Sequence, residues 1–315
     1  MNQPKILVLG DANVDLVIPL SDRSTDNVVQ RNSALELHGG GTAANVAVAL
    51  ARLGEQVSFI GTVGDDGYGR WVKEDLENES VDTAETHLVP DAFTSMVMAL
   101  IYPDGERSLY VWPDKDGAHT KLLPSNIKPE FIESFSWLHT TGLCLREEPV
   151  RKAQLKAMKL AQAAGLTVSL DLNLRLESWG LDSSLKKIFE LAIELTQVVF
   201  GNGIEEINPF TGESSIQAGA EALSAGKRTV IARQGAQGAV VVAPDEVFSS
   251  PAFDVEVVDT LGAGDAFNGG FIAARLAGKD LREAARWGNA AAALKIGKTG
   301  ARGSPTRESL LQLLE

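Results

Sequence analysis

The segment 259–270 carries the residues best suited to chemistry. It reads Asp-Thr-Leu-Gly-Ala-Gly-Asp-Ala-Phe-Asn-Gly-Gly, follows a strand-like run and enters a helical pattern. Small residues before a helix N-terminus let backbone N–H groups converge on an anion. Gly262, Ala263 and Gly264 can therefore form an anion hole. Asp265, in the first turn of the helix, is placed to accept a proton from an attacking hydroxyl. The alternative is a tight turn with Asp265 as a helix cap.

A second glycine-rich segment, 38–45, lies near the N-terminus. Its sequence, His-Gly-Gly-Gly-Thr-Ala-Ala-Asn, opens a helical pattern of small residues that ends at Gly54. Glycines let backbone amides approach a polar ligand closely, and Asn45 can hydrogen-bond to it from the first helical turns. On its own, such a segment is more often a flexible connection.

Alternating strand and helix patterns position both segments. Short apolar runs such as Ile6–Gly10 predict strands buried on both faces. The β/α alternation predicts an α/β protein with a largely parallel sheet covered on both faces. Two pairs of strand-like stretches without helices, 14–20 with 33–37 and 95–101 with 108–112, predict a small β lid. The predicted core comprises residues 1–12, 39–92 and 118–315, and the discontinuous lid comprises residues 13–38 and 93–117.

The bulk composition limits the class of protein. A net charge of −13 argues against a nucleic-acid binder, which needs a basic face. Cys144 is the only cysteine, so no internal disulfide can form. The N-terminus does not resemble a signal peptide, and no apolar run approaches the roughly 20 residues that span a bilayer. We therefore expect a cytoplasmic protein without a nucleic-acid or membrane partner.

Together, the two glycine-rich segments resemble the two signatures of the ribokinase-like (PfkB) carbohydrate kinases. Residues 40–54 are similar to the first signature and residues 259–270 to the second. Between them, residues 61–69 and the Asn-x-x-Glu motif 202–205 also fit the family in order. The resemblance covers nearly the whole chain. It implies a ribokinase-like three-layer α/β/α fold and ATP-dependent phosphotransfer to a hydroxyl, preferentially a primary one, of a small sugar.

The resemblance also implies roles for individual residues. Asp265 would be the general base, and Gly262–Gly264 the anion hole. The sugar would be held by five residues near the N-terminus: Asn13, Asp15, Gly40, Gly41 and Asn45. The nucleotide and its Mg²⁺, bound through water to Glu205, would be held by a later set: Asn202, Glu205, Arg233, Gly235, Gly238 and Asn289.

The pattern Asp171–Arg175 with Trp179 resembles fructokinases and 2-keto-3-deoxygluconate kinases. Arg175 would then hold a substrate carboxylate or phosphate, or alternatively form a structural ion pair with Asp171. The order Val111–Trp112–Pro113 departs from the pattern of the keto-deoxygluconate kinases, which disfavours a sugar-acid substrate.

A monovalent cation is a further implication of the resemblance, because several relatives bind K⁺ beside the anion hole. The matching elements are Asp259, the carbonyl of Leu261 and the loop 298–304. Alternatively, Asp259 hydrogen-bonds its own turn. Three basic side chains crowd the same region, and one of them could replace the ion: Lys295, Lys298 and Arg302.

The sequence also bears on several rival functions. A dinucleotide-dependent oxidoreductase needs a third glycine where Phe267 stands, and a Walker A loop before Lys298 needs a glycine where Ala292 stands. A catalytically silent sugar or nucleotide sensor on the same fold, or a nucleoside kinase of the same family, remains an alternative. The lid strands also suggest a homodimer, because uncovered strands often pair between subunits.

Overall fold

The computed structural model describes residues 5–21, 35–104, 106–113 and 115–315. Parts of three predictions lie outside these ranges: residues 33–34 of the strand 33–37, residues 22–34, 105 and 114 of the lid, and residues 1–4 of the core. Within the described ranges the strands are β1 (Lys5–Leu9), β2 (Asn13–Pro19), β3 (Glu36–Gly40), β4 (Gln56–Gly64), β5 (Thr86–Val89), β6 (Met96–Ile101), β7 (Arg107–Trp112), β8 (Trp137–Thr141), β9 (Thr167–Asp171), β10 (Val198–Asn202), β11 (Thr229–Arg233), β12 (Ala239–Val242) and β13 (Val247–Ser250).

Helices alternate with these strands along most of the chain. They are α1 (Thr42–Arg52), α2 (Gly67–Asn78), α3 (Pro129–Ile132), α4 (Val150–Ala163), α5 (Leu176–Trp179), α6 (Ser183–Glu194), α7 (Asn208–Thr211), α8 (Ile216–Ser224), α9 (Ala263–Leu276), α10 (Leu281–Ile296) and α11 (Arg307–Leu314). No helix in the described part of the chain is long and apolar enough to cross a membrane.

The main sheet has the order β13-β12-β11-β10-β9-β8-β1-β4-β5. Its neighbouring strands are parallel except at one edge, where β12 and β13 run antiparallel. Strand β1 shows why both faces are covered. Its residues Ile6 and Val8 belong to the apolar layer that includes α1, α9 and α10, whereas Leu7 and Leu9 belong to the layer that includes α4 and α6. The predicted three-layer α/β/α fold is therefore confirmed.

A smaller sheet, which we call the lid sheet, has the order β3-β2-β6-β7. Strands β2 and β6 are parallel, and the two outer pairs are antiparallel. On the edge strand β7 the side chains of residues 109–112 are all exposed. The division of the chain into core and lid at the residue bounds given above remains a prediction.

One predicted strand is absent. The strand-like run Val255–Val258, which precedes segment 259–270, is not a strand, and the side chains of Val257 and Val258 are exposed. The described residues 251–262 lie outside both sheets. The amides of Val258 and Asp259 instead donate to the carbonyl of Ile296 at the end of α10. This attachment places segment 259–264 beside the end of α10.

Candidate active site

The anion-hole segment lies at the N-terminus of α9. Gly262 directly precedes the helix and has a φ of 77°, which favours glycine. A Cβ at this position would lie 2.3 Å from the carbonyl oxygen of Ala301. Ala263 and Gly264 are the first two helical residues, so their amides have no intrahelical acceptor. The amide of Ala263 donates to the carbonyl of Thr260 at 3.2 Å. The anion-hole role of residues 262–264 stays a prediction.

Asp265 follows in the first turn of α9 and is buried. Its Oδ2 accepts a hydrogen bond of 2.8 Å from Nδ2 of Asn45. The pKa of Asp265 is raised to about 7, mainly by burial and also by the charge of Asp171, while the Asn45 hydrogen bond and the charge of Arg233 oppose the shift. A carboxyl group that titrates near neutral pH is well suited to general base catalysis.

A buried ion pair supports the anion hole from within the protein. The guanidinium of Arg233 donates to both carboxylate oxygens of Asp171, each at 2.9 Å. It also donates to Oδ1 of Asn268 at 2.8 Å and to the carbonyl of Gly264 at 3.2 Å. Sequence reasoning assigned Arg233 to the nucleotide and did not identify Asn268. In the structure, Arg233 links strand β9 to the first turns of α9.

The ion pair between Arg233 and Asp171 also bears on the two alternatives for Arg175, a substrate contact or an ion pair with Asp171. The alternative partner suggested for Arg175 was Asp171, but Asp171 pairs with Arg233. Arg175 precedes α5 with a φ of 47°, and its side chain is exposed. Arg175 is thus not drawn into the cluster around Asp265.

The predicted sugar-binding residues come together where β2 pairs with β3. The register places Asn13 opposite Gly40, and Nδ2 of Asn13 donates to Oδ1 of Asp15 at 2.7 Å. A Cβ on Gly40 would lie 2.5 Å from that same oxygen, so a side chain at this position would displace the carboxylate of Asp15. Burial raises the pKa of Asp15 to about 6, against the Asn13 hydrogen bond. Gly41 connects Gly40, at the end of β3, to the start of α1.

Two residues that sequence reasoning did not assign to the sugar site, Asp11 and Arg302, hold this region in place. Asp11 accepts hydrogen bonds from the amide and hydroxyl of Thr42, at 2.7 and 2.9 Å. Arg302 donates to Oδ1 of Asn45 at 3.3 Å and to the carbonyl of Gly40 at 3.2 Å, and it pairs with Asp75. Asp11 could have been found from its place directly after a buried strand, where ligand sites of parallel sheets lie.

The predicted Mg²⁺-organising pair lies at the carboxyl end of β10. Oδ1 of Asn202 accepts from the amides of Ile204 and Glu205, both at 3.0 Å, and its Nδ2 donates to Oε2 of Glu205 at 3.1 Å. Glu205 is exposed. The neighbouring Glu206, which sequence reasoning missed, is buried and accepts from the amides of Leu174 and Asn202. Glu206 is therefore a structural group, and Glu205 faces solvent.

The donor set around Glu205 fits a hydrated Mg²⁺. The described residues contain no cluster of three or more His, Cys, Asp or Glu side chains arranged to hold a metal. Mg²⁺ usually keeps several waters and binds through one or two carboxylates plus substrate phosphates, so a single exposed carboxylate is sufficient.

The remaining nucleotide-side predictions fall near the β11–β12 turn. Gly235 and Gly238 bound that turn. Asn289, on α10, is buried and its Nδ2 donates to the carbonyl and hydroxyl oxygens of Ser250, at 3.1 and 3.0 Å. Its amide thus fastens β13 to α10. The predicted role of Asn289 in nucleotide binding stays a prediction.

Several hydrogen bonds converge on Asp259, where the sequence predicted a monovalent cation. The Asp259 carboxylate accepts from the amides of Leu261 and Gly300, each at 2.9 Å. The side chain of Lys295 donates to the Asp259 carbonyl at 2.7 Å and to the Lys298 carbonyl at 3.3 Å. The structure therefore shows an ammonium group on these two carbonyls.

Comparison with known proteins places this site in a family. Residues 3–307 match the model of the pfkB family carbohydrate kinases. An aminoimidazole riboside kinase from Salmonella typhimurium is 33% identical over 269 residues, covering 85% of this chain and 80% of the relative. A fructokinase from Vibrio alginolyticus is 34% identical over 326 positions, covering 100% of this chain and 99% of the relative.

A solved structure shows the same fold. The crystal structure of a fructokinase double mutant from Vibrio cholerae O395, with fructose, ADP and potassium ion bound, matches with a TM-score of 0.84 and 31% identity over 99% of each chain. The chain thus belongs to the pfkB family of carbohydrate kinases and is an ATP-dependent sugar kinase with the ribokinase-like α/β fold.

Proposed function

We propose that the chain transfers the γ-phosphoryl group of ATP to a hydroxyl, preferentially a primary one, of a small sugar or riboside. The observation that carries this proposal is the position of Asp265. It is a buried carboxyl with a pKa of about 7, directly after Gly264 at the N-terminus of α9. A base and an anion hole on adjacent residues are what an in-line attack on a phosphoryl group requires.

In this proposal each group of residues has a separate role in the reaction. Asn13 and Asp15 bind acceptor hydroxyls, since a carboxylate accepts two such bonds in fixed directions. Asp265 takes the proton of the attacking hydroxyl. The amides of residues 262–264 stabilise the charge on the transferring group. When Mg²⁺ is bound, with Glu205 holding it through water, it neutralises the phosphate charge.

Residues Asn13 and Asp15 select the acceptor together with a neighbouring cavity. The cavity has a volume of about 340 Å³ and is lined by His119, Arg146 and Trp179 among others. His119 contacts Ser95, whose carbonyl accepts the amide of Val14 between Asn13 and Asp15. A substituent on the sugar therefore has room beside Asn13 and Asp15. This favours a riboside, so nucleoside kinase activity is our second candidate.

The test is an ATP-consumption screen across ketoses, pentoses, sugar acids and nucleosides, with product analysis by mass spectrometry. We expect one acceptor class to be phosphorylated at kcat/KM above about 10⁴ M⁻¹s⁻¹, the lower end of the usual range for enzymes. The Asp265→Asn variant is the control for contaminating kinases. Binding of a sugar without any turnover would instead support the silent-sensor alternative.

We also propose that two copies of the chain associate through their lid sheets. Four consecutive side chains of the edge strand β7 are exposed, and all four are apolar or aromatic: Leu109, Tyr110, Val111 and Trp112. Edge strands with exposed apolar side chains are sites of association unless they are protected. A second lid sheet of the same kind would cover them.

A further inference from the structure

Lys295 lies in the last turn of α10 and is fully buried, with 0% of its surface exposed. Lysine is almost never fully buried unless it is paired. Its Nζ donates to two backbone carbonyls, at 2.7 Å to Asp259 and at 3.3 Å to Lys298. Backbone carbonyl oxygens converging on one positive centre are also the ligand set that replaces the hydration shell of K⁺.

The two carbonyls belong to the two segments that shape the anion hole. Asp259 begins the segment that ends at Gly262, and Lys298 begins the loop that contains Ala301. These segments touch where Gly262 packs against the Ala301 carbonyl. The Asp259 carboxylate also accepts the Gly300 amide at 2.9 Å. The ammonium of Lys295 therefore bridges both walls of the anion hole.

The charge of Lys295 also acts on the site. The carboxylates of Asp259 and Asp265 both favour the charged ammonium, against the effect of burial, which lowers the pKa of Lys295. A fixed positive charge beside the anion hole stabilises negative charge that develops there, without reorganisation during the reaction.

We propose that Lys295 is a built-in monovalent cation that positions the anion hole, so that turnover requires no potassium. This inference rests on the proposed kinase function. The K⁺ expected from the sequence would lie in this same region, between Asp259, the Leu261 carbonyl and the loop 298–304, where the ammonium of Lys295 already holds the carbonyls of Asp259 and Lys298. Lys295 is thus a positioning residue, since it acts through the backbone of residues 259–262.

The first test uses the unmodified chain. Turnover is measured at fixed ionic strength in K⁺, Na⁺ or tetramethylammonium, which is too large for the site. We expect kcat to agree within about twofold among the three salts, because the ammonium already supplies the cation. Stimulation by K⁺ of more than about fivefold would overturn the proposal.

The second test removes the ammonium. In tetramethylammonium, Lys295→Ala should lose at least about tenfold in kcat, since misplaced catalytic groups cost rate steeply. The space left by the side chain should admit K⁺ or NH₄⁺, which should restore kcat with little change in acceptor KM. Lys279→Ala, which removes an exposed lysine between α9 and α10, is the matched control and should stay indifferent to the cation.

A readout without turnover separates this inference from the proposed function. The thermal midpoint of Lys295→Ala should rise when K⁺ replaces tetramethylammonium, and that of the unmodified chain should not, because only the variant gains a ligand. If no acceptor is ever phosphorylated, the proposed function fails while this measurement still decides the inference. A variant with full activity and stability in tetramethylammonium would refute it. If the variant does not fold, the salt series on the unmodified chain decides.

Discussion

Replacing Asp265 by asparagine should separate the catalytic value of this carboxyl from its effect on stability. Asparagine keeps the size of the side chain but cannot accept a proton. We expect kcat to fall by about 10²–10⁴-fold, the usual contribution of a general base. Nucleotide affinity should change little, because Asp265 lies beyond the amides of residues 262–264.

The same substitution should stabilise the free protein at alkaline pH. The pKa of Asp265 is raised from 3.8 to about 7, so the folded state holds a proton that the unfolded state releases. Stability is therefore highest below the unfolded pKa and decreases as pH rises toward the folded pKa. With 1.36 kcal/mol for each pKa unit, ionising this group costs the folded state about 2–3 kcal/mol between about pH 5 and about pH 8. Asparagine avoids that penalty.

Urea denaturation at about pH 5 and about pH 8 measures the effect. The free energy of unfolding of Asp265→Asn, relative to the unmodified chain, should increase by about 2–3 kcal/mol between the two conditions. The exposed Asp245→Asn serves as control and should show no such change. The reasoning is refuted if Asp265→Asn has the same relative stability at both pH values, or if it keeps more than about a tenth of kcat.

Three further outcomes are expected. Asp15→Ala should raise the acceptor KM by about 10–100-fold, the equivalent of about 1.5–3 kcal/mol, and leave the KM for ATP unchanged; equal effects on both would show a structural role. Asn45→Ala removes the hydrogen bond that lowers the pKa of Asp265, so the acidic limb of the kcat/KM profile should move to higher pH, whereas Asn78→Ala on the surface of α2 should leave it in place. Trp112→Asp should yield monomers by analytical ultracentrifugation if the lid sheets pair, and the lid-pairing proposal is wrong if the unmodified chain is itself monomeric.

The sequence was most informative where function depends on backbone geometry. Gly262 and Gly40 each stand where a side chain would strike a carbonyl or carboxylate oxygen, so their identity records a close approach. Motifs of this kind are formed by residues close together in the chain, so they can be recognised in the amino-acid sequence. The fold class followed for the same reason, because apolar runs such as Ile6–Gly10 show in the sequence that a strand is covered on both faces.

Long-range partners could not be predicted. Arg302 binds Asn45 across 257 positions of the chain, and Arg233 reaches Asp171 across 62. No periodicity or spacing relates such residues, because they meet only after the sheet and its helices pack. The predicted strand at Val255–Val258 was wrong because local composition was trusted where pairing decides. Its composition suits a strand, but strand formation also depends on pairing with another strand, and the amides of Val258 and Asp259 instead bind the end of α10.

The short connection between the two sheets has a mechanical consequence. Only residues 10–12 join β1 to β2, and Asp11 within them holds the amides of Thr42 and Ala43 at the start of α1. A lid that closes on a sugar must therefore pull on α1, which carries Asn45 and its hydrogen bond to Asp265. Binding of the acceptor sugar should then align Asp265, the general base. Water is too small to draw the lid sheet down, so it should meet a misaligned base, and bound ATP should survive in the open cleft until a sugar arrives.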